Sequence, residues 1–250
     1  MQKVIYTCIV GGYDELLQPK VIYDGYDYIC FTNDLKVNKI GVWEIRPIPF
    51  KHKDKTRLSR FVKLNPHIAL PEYEYSVWID SNIQIIDSYL YDRTEILIRN
   101  GTLMSMVKHP DKNCIYVDAK ICVLEAAKDS FSSMNKQMKF LRHENYPQNN
   151  GLFENNLILR KHNEKIIVKI SKLWWEVYMK FSKRDQMSLC YVFWKNNFIP
   201  DLLLPQDVNT HNKEHFVRYQ HKESFCFRIK RKCRLINNRL SYMLSYPKYF

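Results

Sequence analysis

A polar triplet at the end of an apolar segment holds the residues most suited to chemistry. The β-favouring run through Trp78 and Ile79 ends at Asp80-Ser81-Asn82, which predicts a buried strand with a polar exit. In an open α/β sheet, ligands gather beyond the carboxyl ends of strands, so Asp80 is expected at the mouth of a crevice. Asp80 and Asn82 offer one anionic and one neutral oxygen, a pair that suits a hard divalent cation carrying substrate phosphates. In the alternative interpretation the triplet only forms a turn.

The segment before this strand predicts a helix with a basic face. Helical spacing runs from residue 54 to about 65, where Pro66 ends it. Arg57, Arg60 and Lys63 lie three residues apart and share one face of that helix. This row could hold a diphosphate opposite a metal, and the alternative is a solvated basic face.

A second carboxylate lies near the start of a later helix. Ser182 is expected to cap that helix, and Asp185 in its first turn would interact favourably with the helix dipole. The functional alternative is a carboxylate near a reacting centre, acting as a base or as an orienting group.

The elements that must position these residues alternate along the chain. Strands are expected at 3–10, 26–31, 42–48, before residue 80, 103–107, 156–160 and 198–203, and helices at 54–65, 123–142, 163–181 and 185–196. This alternation implies an α/β fold with a mainly parallel central sheet that is covered on both faces. We expect one domain over residues 1–220 and a separate tail over residues 221–250.

Composition narrows the class of protein. The 250 residues contain no apolar run of the roughly 20 residues needed to cross a bilayer, and the start of the chain resembles a strand more than a signal peptide. The seven cysteines are scattered without a C-x-x-C pair, which favours reduced thiols that mostly fill the core over a zinc site or disulfides. These features predict a cytoplasmic protein.

The tail is strongly basic. From His221 onward the chain has eight Lys or Arg residues and one Glu, within a total net charge of +13. Apolar residues recur there at helical spacing: Phe225, Ile229, Cys233, Ile236, Leu240, Met243 and Leu244. A basic amphipathic helix suits an anionic membrane surface, which predicts a peripheral association with the inner face of the cytoplasmic membrane. The alternative is a helix packed on the body with its charges in water.

A nucleic-acid binder is a further class to consider, because the chain has a pI near 9.3 and 14% aromatic residues. No recognised nucleic-acid motif supports this class, and much of the charge lies in the tail. We therefore expect no nucleic-acid partner.

Several short motifs follow one another in a set order. They are Tyr6-Thr7-Cys8-Ile9-Val10-Gly11-Gly12-Tyr13-Asp14, Tyr28-Ile29-Cys30-Phe31-Thr32, Arg57-Leu58-Ser59-Arg60 with Lys63 and Pro66-His67, Trp78-Ile79-Asp80, His109-Pro110, Gly151-Leu152 with Glu154, Arg160 with His162, and Arg184-Asp185-Gln186-Met187-Ser188. Over roughly residues 4 to 221 the chain resembles the glycosyltransferase-like family that includes plant TOD/MUCI-type proteins and many bacterial polysaccharide-cluster proteins. That family is similar in layout to the GT-A glycosyltransferases, whose Rossmann-like half binds a nucleotide-sugar.

The resemblance implies a donor site and a metal. Residues implied along the nucleotide-sugar site are Thr7, Ile9, Gly11, Tyr13, Asp14, Arg57, Arg60, Lys63, Asp80, Ser81 and His109. Asp80 and Asn82 would face a Mn²⁺ or Mg²⁺ ion, although Asn82 departs from the Asp-x-Asp pattern of GT-A enzymes. A late histidine often completes the metal shell, and His221 is the best placed of the candidates His211, His215 and His221.

The implied reaction moves a sugar from a nucleotide-diphosphate donor, most simply a UDP-sugar, to a hydroxyl of a glycan or lipid-linked glycan in surface polysaccharide synthesis, such as capsule or lipopolysaccharide. An inverting reaction needs a carboxylate base, for which Asp185 is the first candidate, followed by Glu154 and Asp118. In a retaining reaction Asp185 and Gln186 would flank the donor sugar. The alternative activity is a metal-dependent, ceramidase-like hydrolase, although no H-x-x-x-H or H-E-x-x-H spacing supports it.

Overall fold

The computed structural model describes residues 1–12, 14–211, 213–221 and 225–245. In chain order the elements are β1 Lys3–Cys8, β2 Asp27–Phe31, β3 Lys39–Ile40, β4 Trp43–Arg46, α1 Lys55–Leu64, α2 Pro66–Ala69, β5 Tyr75–Ile79, β6 Ile83–Ile85, α3 Tyr89–Arg99, β7 Met104–Lys108, α4 Ile115–Leu124, α5 Phe131–His143, β8 Phe153–Arg160, α6 Lys165–Lys180, α7 Gln186–Lys195, β9 Asp201–Leu202, β10 Phe216–Arg218 and α8 Phe225–Ser245. The chain divides into two compact units, the first over 1–108, 154–172 and 200–222 and the second over 109–153, 173–199 and 223–250. Tyr13, predicted at the donor site, lies outside the described residues.

An eight-stranded sheet in the order β3-β4-β2-β1-β5-β8-β7-β9 forms the centre of the first unit. The pairs β1–β2, β1–β5, β2–β4 and β7–β9 are parallel, while β8 runs antiparallel to β5 and β3 antiparallel to β4. Strands β1 and β5 are buried along nearly their whole length, as expected for central strands covered on both faces. The predicted α/β class with a mainly parallel central sheet is confirmed.

Helix α1 begins and ends where the sequence predicts. The Asp54 carboxylate accepts hydrogen bonds from the backbone N–H groups of Thr56 and Arg57, which satisfies donors that have no partner within the helix. The helix ends at Leu64, and Pro66 starts the short helix α2. The last turn of α1 lies close to the end of β5, since the Lys63 ammonium is 3.2 Å from Oδ1 of Asp80, the residue after that strand.

The predicted helix over 123–142 is wrong. Helix α4 ends at Leu124, Ala127 has a positive φ of 47°, and α5 starts anew after Ser130, whose hydroxyl oxygen accepts from Ser133 N–H. A residue with positive φ interrupts a right-handed helix, so periodicity across this point belongs to two helices. Also not predicted were the short strands β3, β6 and β10, the helices α2 and α3, and most of α4.

Helix α8 is the observed form of the predicted basic tail. Its 21 residues belong to the second compact unit. None of the helices in the described ranges is long and apolar enough to span a membrane. All seven cysteines are free; Cys226 and Cys233 on α8 are exposed and the other five are buried.

A group of buried basic side chains lies near α2 and the end of β8. Arg160 donates to Tyr6 Oη (2.5 Å) and to the backbone oxygen of Lys63 (2.8 Å). His162 is fully buried, with Nε2 2.8 Å from the backbone oxygen of Leu70. Burial, with a smaller contribution from the nearby Arg160 charge, lowers the pKa of His162 to about 4. The pKa of His67 is lowered to about 4 for the same two reasons.

Acid is therefore expected to destabilise the protein through His162. The folded chain keeps this imidazole neutral, whereas the unfolded chain protonates it near pH 6.5, so the stabilisation is complete above pH 6.5 and is lost as the pH falls toward 4. At pH 5 the loss is on the order of 2 kcal/mol. Urea unfolding between pH 7 and 5 should show a flatter pH dependence for His162→Gln than for the native chain. The same replacement at the exposed His143 is the control, and equal slopes in all three proteins would contradict the prediction.

Candidate active site

Asp80 follows β5 directly, at the carboxyl end of the sheet. Its Oδ1 accepts from the indole N–H of Trp78 (2.8 Å) and from the Lys63 ammonium (3.2 Å). Its backbone N–H donates to the oxygen of Asn156 on β8 (2.9 Å). The carboxylate is thus held from β5 and α1 and the backbone from β8, with the Asp80 side chain still 24% exposed. Asp80 is therefore fixed in position and open to a ligand.

Lys63 on the last turn of α1 is a buried cation. Its side chain is only 2% exposed, and its ammonium lies 5.2 Å from the centre of the Trp78 ring. A charge this far from water is stable only when it is paired, and Asp80 supplies the opposite charge. Of the predicted basic row, Lys63 thus points into the protein, not into solvent.

The Asp80-Ser81-Asn82 triplet forms a turn between β5 and β6, since Ile83 N–H donates to the Asp80 backbone oxygen (3.0 Å). Asn82 is held by the backbone of Tyr219, which accepts from Asn82 Nδ2 (2.8 Å) and donates to the Asn82 backbone oxygen (2.8 Å). The Asn82 side-chain oxygen is buried and has no hydrogen-bond partner in the described part of the chain. The turn interpretation is correct for the backbone, and it leaves one amide oxygen available.

Asp14 connects the loop after β1 to this turn. Its carboxylate accepts from the Ser81 hydroxyl (2.5 Å) and lies 2.7 Å from His221 Nδ1. The loop itself needs glycine at residue 11, because φ is +81° and a Cβ there would lie 2.9 Å from Lys55 Cδ. His221, the favoured metal histidine, is therefore next to the triplet but is bonded to Asp14.

Glu154 on β8 provides a second carboxylate on a strand paired with β5. Its Oε2 accepts from Asn156 Nδ2 (3.1 Å), and its Oε1 lies 2.9 Å from His211 Nε2. Asn156 also donates to Thr210 Oγ1 (2.8 Å), which ties β8 to the segment after β9. The Asn156 backbone oxygen accepts from Asp80 N–H, so the start of β8 lies beside the carboxyl end of β5. Glu154, two residues before Asn156, therefore lies at the same end of the sheet as Asp80.

Comparison with known sequences decides the family. The profile of the TOD1/MUCI70, glycosyltransferase-like domain matches residues 1–221. The chain belongs to this family. The resemblance inferred from the ordered motifs is confirmed, and the matched range contains every residue of the site described above.

A curated relative and three solved structures are similar to this member of the family. The probable hexosyltransferase MUCI70 of Arabidopsis thaliana is 25% identical over 167 residues, which cover 62% of this chain and 28% of the relative. This chain thus spans about a quarter of that relative's length. The apo structure of the bifunctional glycosyltransferase WbbM is 12% identical (TM-score 0.46; 96% of this chain and 44% of that chain). Mouse xyloside xylosyltransferase 1 is 7% identical (0.45; 80% and 84%), and S. aureus TarS 1-349 is 9% identical (0.43; 98% and 74%).

Two predicted donor residues are not in a loop. Thr7 belongs to β1, and Ile9 is the first residue after this strand. Both are buried, with Thr7 1% and Ile9 7% exposed. Ile9 N–H continues the strand pairing by donating to the Phe31 backbone oxygen (3.0 Å). The loop after β1 therefore begins beyond Ile9, and of the residues implied along the donor site before residue 15 it contains Gly11 and Asp14 among those that the structure describes. Arg57 and Arg60 lie on α1, partly buried, on the helix that carries Lys63.

The other predicted site residues belong to the second compact unit. Asp118 on α4 is buried, pairs with Lys112 (2.5 Å) and accepts from the Cys122 thiol (3.7 Å). His109 Nδ1 accepts from Asp111 N–H (3.2 Å). Both residues are thus bonded within that unit, and their roles in catalysis and donor binding stay predictions.

Asp185, not Ser182, occupies the N-cap position of α7, which corrects the predicted cap. The Ser182 hydroxyl instead donates to Asp129 (2.7 Å). Gln186 Nε2 donates to the Phe153 backbone oxygen (2.9 Å), and its side-chain oxygen accepts from Arg184 (2.8 Å). The predicted cap was wrong because the Ser182 hydroxyl bonds the carboxylate of Asp129, which is distant in the sequence, and not the first turn of α7.

The side-chain oxygens of Asp80 and Asn82 are the ligands predicted for a divalent cation. Asp80 Oδ1 already accepts from Lys63 and Trp78, whereas the buried Asn82 oxygen accepts no hydrogen bond from the described residues. One carboxylate and one amide oxygen fit a Mg²⁺ or Mn²⁺ ion that takes most of its ligands from substrate phosphates and water. In the described ranges, no group of three or more His, Cys, Asp or Glu side chains could hold a metal ion by protein ligands alone. Of the other candidate histidines, His211 pairs with Glu154, and His215 pairs with Asp87 (2.7 Å).

Four residues of the site were not singled out as site residues from the sequence. Trp78, Asn156 and Tyr219 orient the predicted residues, and Thr210 fixes Asn156. Trp78 carries a local signal, because an indole N–H two residues before an Asp can reach its carboxylate at the end of a strand. The other three come from distant segments and have no such signal.

Proposed function

We propose that this chain is a glycosyltransferase that moves a hexosyl unit from a nucleotide-diphosphate sugar, with UDP as the nucleotide, to a hydroxyl of a glycan or lipid-linked glycan. One observation carries the proposal: in a chain of the TOD1/MUCI70 family, Asp80 stands at the carboxyl end of a central parallel strand and is oriented by the buried Lys63. The name of the Arabidopsis thaliana relative, a probable hexosyltransferase, supports the class of sugar. Surface polysaccharide synthesis is the proposed setting.

The donor diphosphate would lie against Asp80, Ser81 and the loop at Gly11. Negative charge builds on the leaving diphosphate as the glycosidic bond breaks, so fixed positive charge near it stabilises the transition state. The buried Lys63 is already paired with Asp80, so its proposed role is to hold that carboxylate in place. When bound, a Mn²⁺ or Mg²⁺ ion at Asp80 and Asn82 would supply the positive charge that neutralises the diphosphate.

Glu154 is the proposed base for an inverting transfer. It belongs to the same compact unit as Asp80, and its carboxylate is held by Asn156 and His211. A base must lie within hydrogen-bond reach of the acceptor hydroxyl. Glu154 lies at the end of the sheet where Asp80 would hold the donor. Glu154 would take the proton of the acceptor hydroxyl. The hydroxyl oxygen would then attack the anomeric carbon as the nucleoside diphosphate leaves.

Thermal shift with nucleotide-sugars tests donor binding. A ligand that binds only the folded chain at 100 times its Kd adds about 2.7 kcal/mol of stability, equivalent to a rise in Tm of roughly 5–10 °C. We expect UDP-sugars to produce this rise and GDP-, CMP- and TDP-sugars to produce less. Each nucleotide is measured with Mn²⁺, with Mg²⁺ and with a chelator, so that any requirement for the cation appears directly.

Asp80→Ala should remove the shift caused by UDP-sugars. Asp24→Ala removes the same charge from an exposed turn of the same unit and should leave the shift unchanged. If no nucleotide-sugar raises the Tm under any metal condition, the transferase proposal is wrong. A shift that survives in Asp80→Ala would instead remove Asp80 from the donor site.

A further inference from the structure

Helix α8 carries an apolar stripe that is exposed to solvent. Six residues form this outer stripe: Phe225, Ile229, Cys233, Ile236, Leu240 and Met243. The exposed fractions are 68% for Phe225, 46% for Ile229, 59% for Ile236, 53% for Leu240 and 71% for Met243. A contiguous apolar surface of this kind on a folded chain marks an interaction site more often than chance exposure.

The packing of α8 on the second unit uses the opposite side of the helix. Asn238 is 3% exposed, and its Nδ2 donates to the backbone oxygens of Val123 (3.0 Å) and Asp129 (2.9 Å). Its Oδ1 accepts from Phe131 N–H (2.8 Å). These three hydrogen bonds fix the rotation of α8 about its own axis.

Helical geometry explains why the stripe faces outward. Ile236 and Leu240 lie two residues before and after Asn238, a rotation of about 200° in either direction. Tyr242, one turn after Asn238, packs its ring against Phe131 with the ring centres 6.3 Å apart. The anchored side and the outer stripe are therefore on opposite sides of the helix.

Cationic side chains flank the outer stripe, and α8 contains no Asp or Glu. By helical spacing, Arg228, Lys232 and Arg239 lie on one flank, and Lys230 and Arg234 lie on the other. Arg234 and Arg239 also donate to the backbone oxygens of Ala127 (3.2 Å) and Leu124 (3.0 Å), which anchors both flanks to the same unit. The surface thus has an apolar centre between two positive edges.

We propose that the outer stripe of α8 docks in the plane of an anionic membrane. The apolar side chains would enter the boundary between headgroups and acyl chains, while the flanking cations contact lipid phosphates and carboxylates. Each cation near an anionic surface multiplies binding by roughly fivefold. A neutral apolar protein surface would bury the outer stripe but offer no negative charge to the flanking cations. Charge complementarity therefore favours the anionic lipid surface. The proposal does not depend on the transfer reaction.

Vesicle flotation tests the docking surface on the full chain. We expect at least tenfold stronger binding to phosphatidylcholine vesicles that contain phosphatidylserine than to pure phosphatidylcholine vesicles, with a loss at high salt because the charges are screened. The double variant Ile236→Asn/Leu240→Asn should lose at least tenfold in binding. A matched control, Ile68→Asn/Ile199→Asn, changes two residues that are also exposed, 50% and 91%, but do not belong to α8, and it should bind like the native chain.

Circular dichroism establishes that the variants fold, and light scattering gives the number of subunits. If the folded native chain fails to float with anionic vesicles, or if the α8 double variant floats as well as the native chain, the proposal is wrong. A native dimer that becomes a monomer in the double variant, without vesicle binding, would assign the outer stripe to a second copy of the chain and also overturn it.

Discussion

Replacing Glu154 with Gln is expected to lower glycosyl transfer by roughly 10²–10⁴-fold, the usual contribution of a positioned base. The change keeps the size of the side chain and leaves an oxygen that can still accept from Asn156. It removes the ability to take a proton from the acceptor, and it replaces the carboxylate that contacts His211 with a neutral amide. Transfer is measured as UDP released in the presence of acceptor, with the sugar that gives the largest thermal shift as donor.

Donor binding separates this role from a structural one. Because Glu154 is proposed to act on the acceptor, Glu154→Gln should keep the UDP-sugar thermal shift, whereas Asp80→Ala should lose it. Glu164→Gln is the matched control, since Glu164 lies beyond the other end of β8 and pairs with Lys161 at the surface. Turnover within about threefold of the native rate would remove Glu154 as the base, and Asp185 would become the first candidate again.

The positions of Asp80 and Lys63 in the fold could be predicted because local sequence determines them. The apolar run into Asp80 specifies a buried strand with a polar exit, and Asp54 with Pro66 specifies the helix before it. These signals lie within ten or so residues of the groups that they position. Short-range rules were therefore enough to place Asp80 and Lys63 in neighbouring elements.

The partners of these residues could not be predicted in the same way. Ser81 meets Asp14, 67 positions away, and Glu154 meets His211, 57 positions away. Such contacts depend on strand order, and β8 pairs antiparallel to β5 within an otherwise mainly parallel sheet. A pattern of alternating strands and helices predicts the class of sheet but not the direction of each strand.

The outer stripe of α8 shows a different limit of sequence reasoning. Helical spacing identified the apolar positions correctly, but it left open whether that face meets a membrane or packs on the rest of the chain. The structure packs α8 through Asn238 and Tyr242, on the side opposite the apolar stripe. A single buried amide with three hydrogen bonds thus decides which face remains outside.

Trp78→Ala is expected to destabilise the first compact unit by about 3–5 kcal/mol, the usual cost of deleting a fully buried Trp. The indole is 1% exposed and meets the Tyr6 ring edge-on, with the ring centres 5.2 Å apart. Urea unfolding followed by circular dichroism measures the loss. Trp175→Ala, at a partly exposed position in the second unit, is the control and should cost less.

Trp78→Phe then isolates the hydrogen bond to Asp80. Phenylalanine keeps most of the buried ring but has no N–H for Asp80 Oδ1, so Lys63 is left as the donor to that oxygen. A hydrogen bond to a charged group contributes about 1.5–3 kcal/mol, so we expect a smaller loss of stability than in Trp78→Ala together with a weaker UDP-sugar shift. If Trp78→Phe keeps the full shift, Lys63 alone is sufficient to orient the carboxylate, and the indole N–H serves only the stability of the strand end.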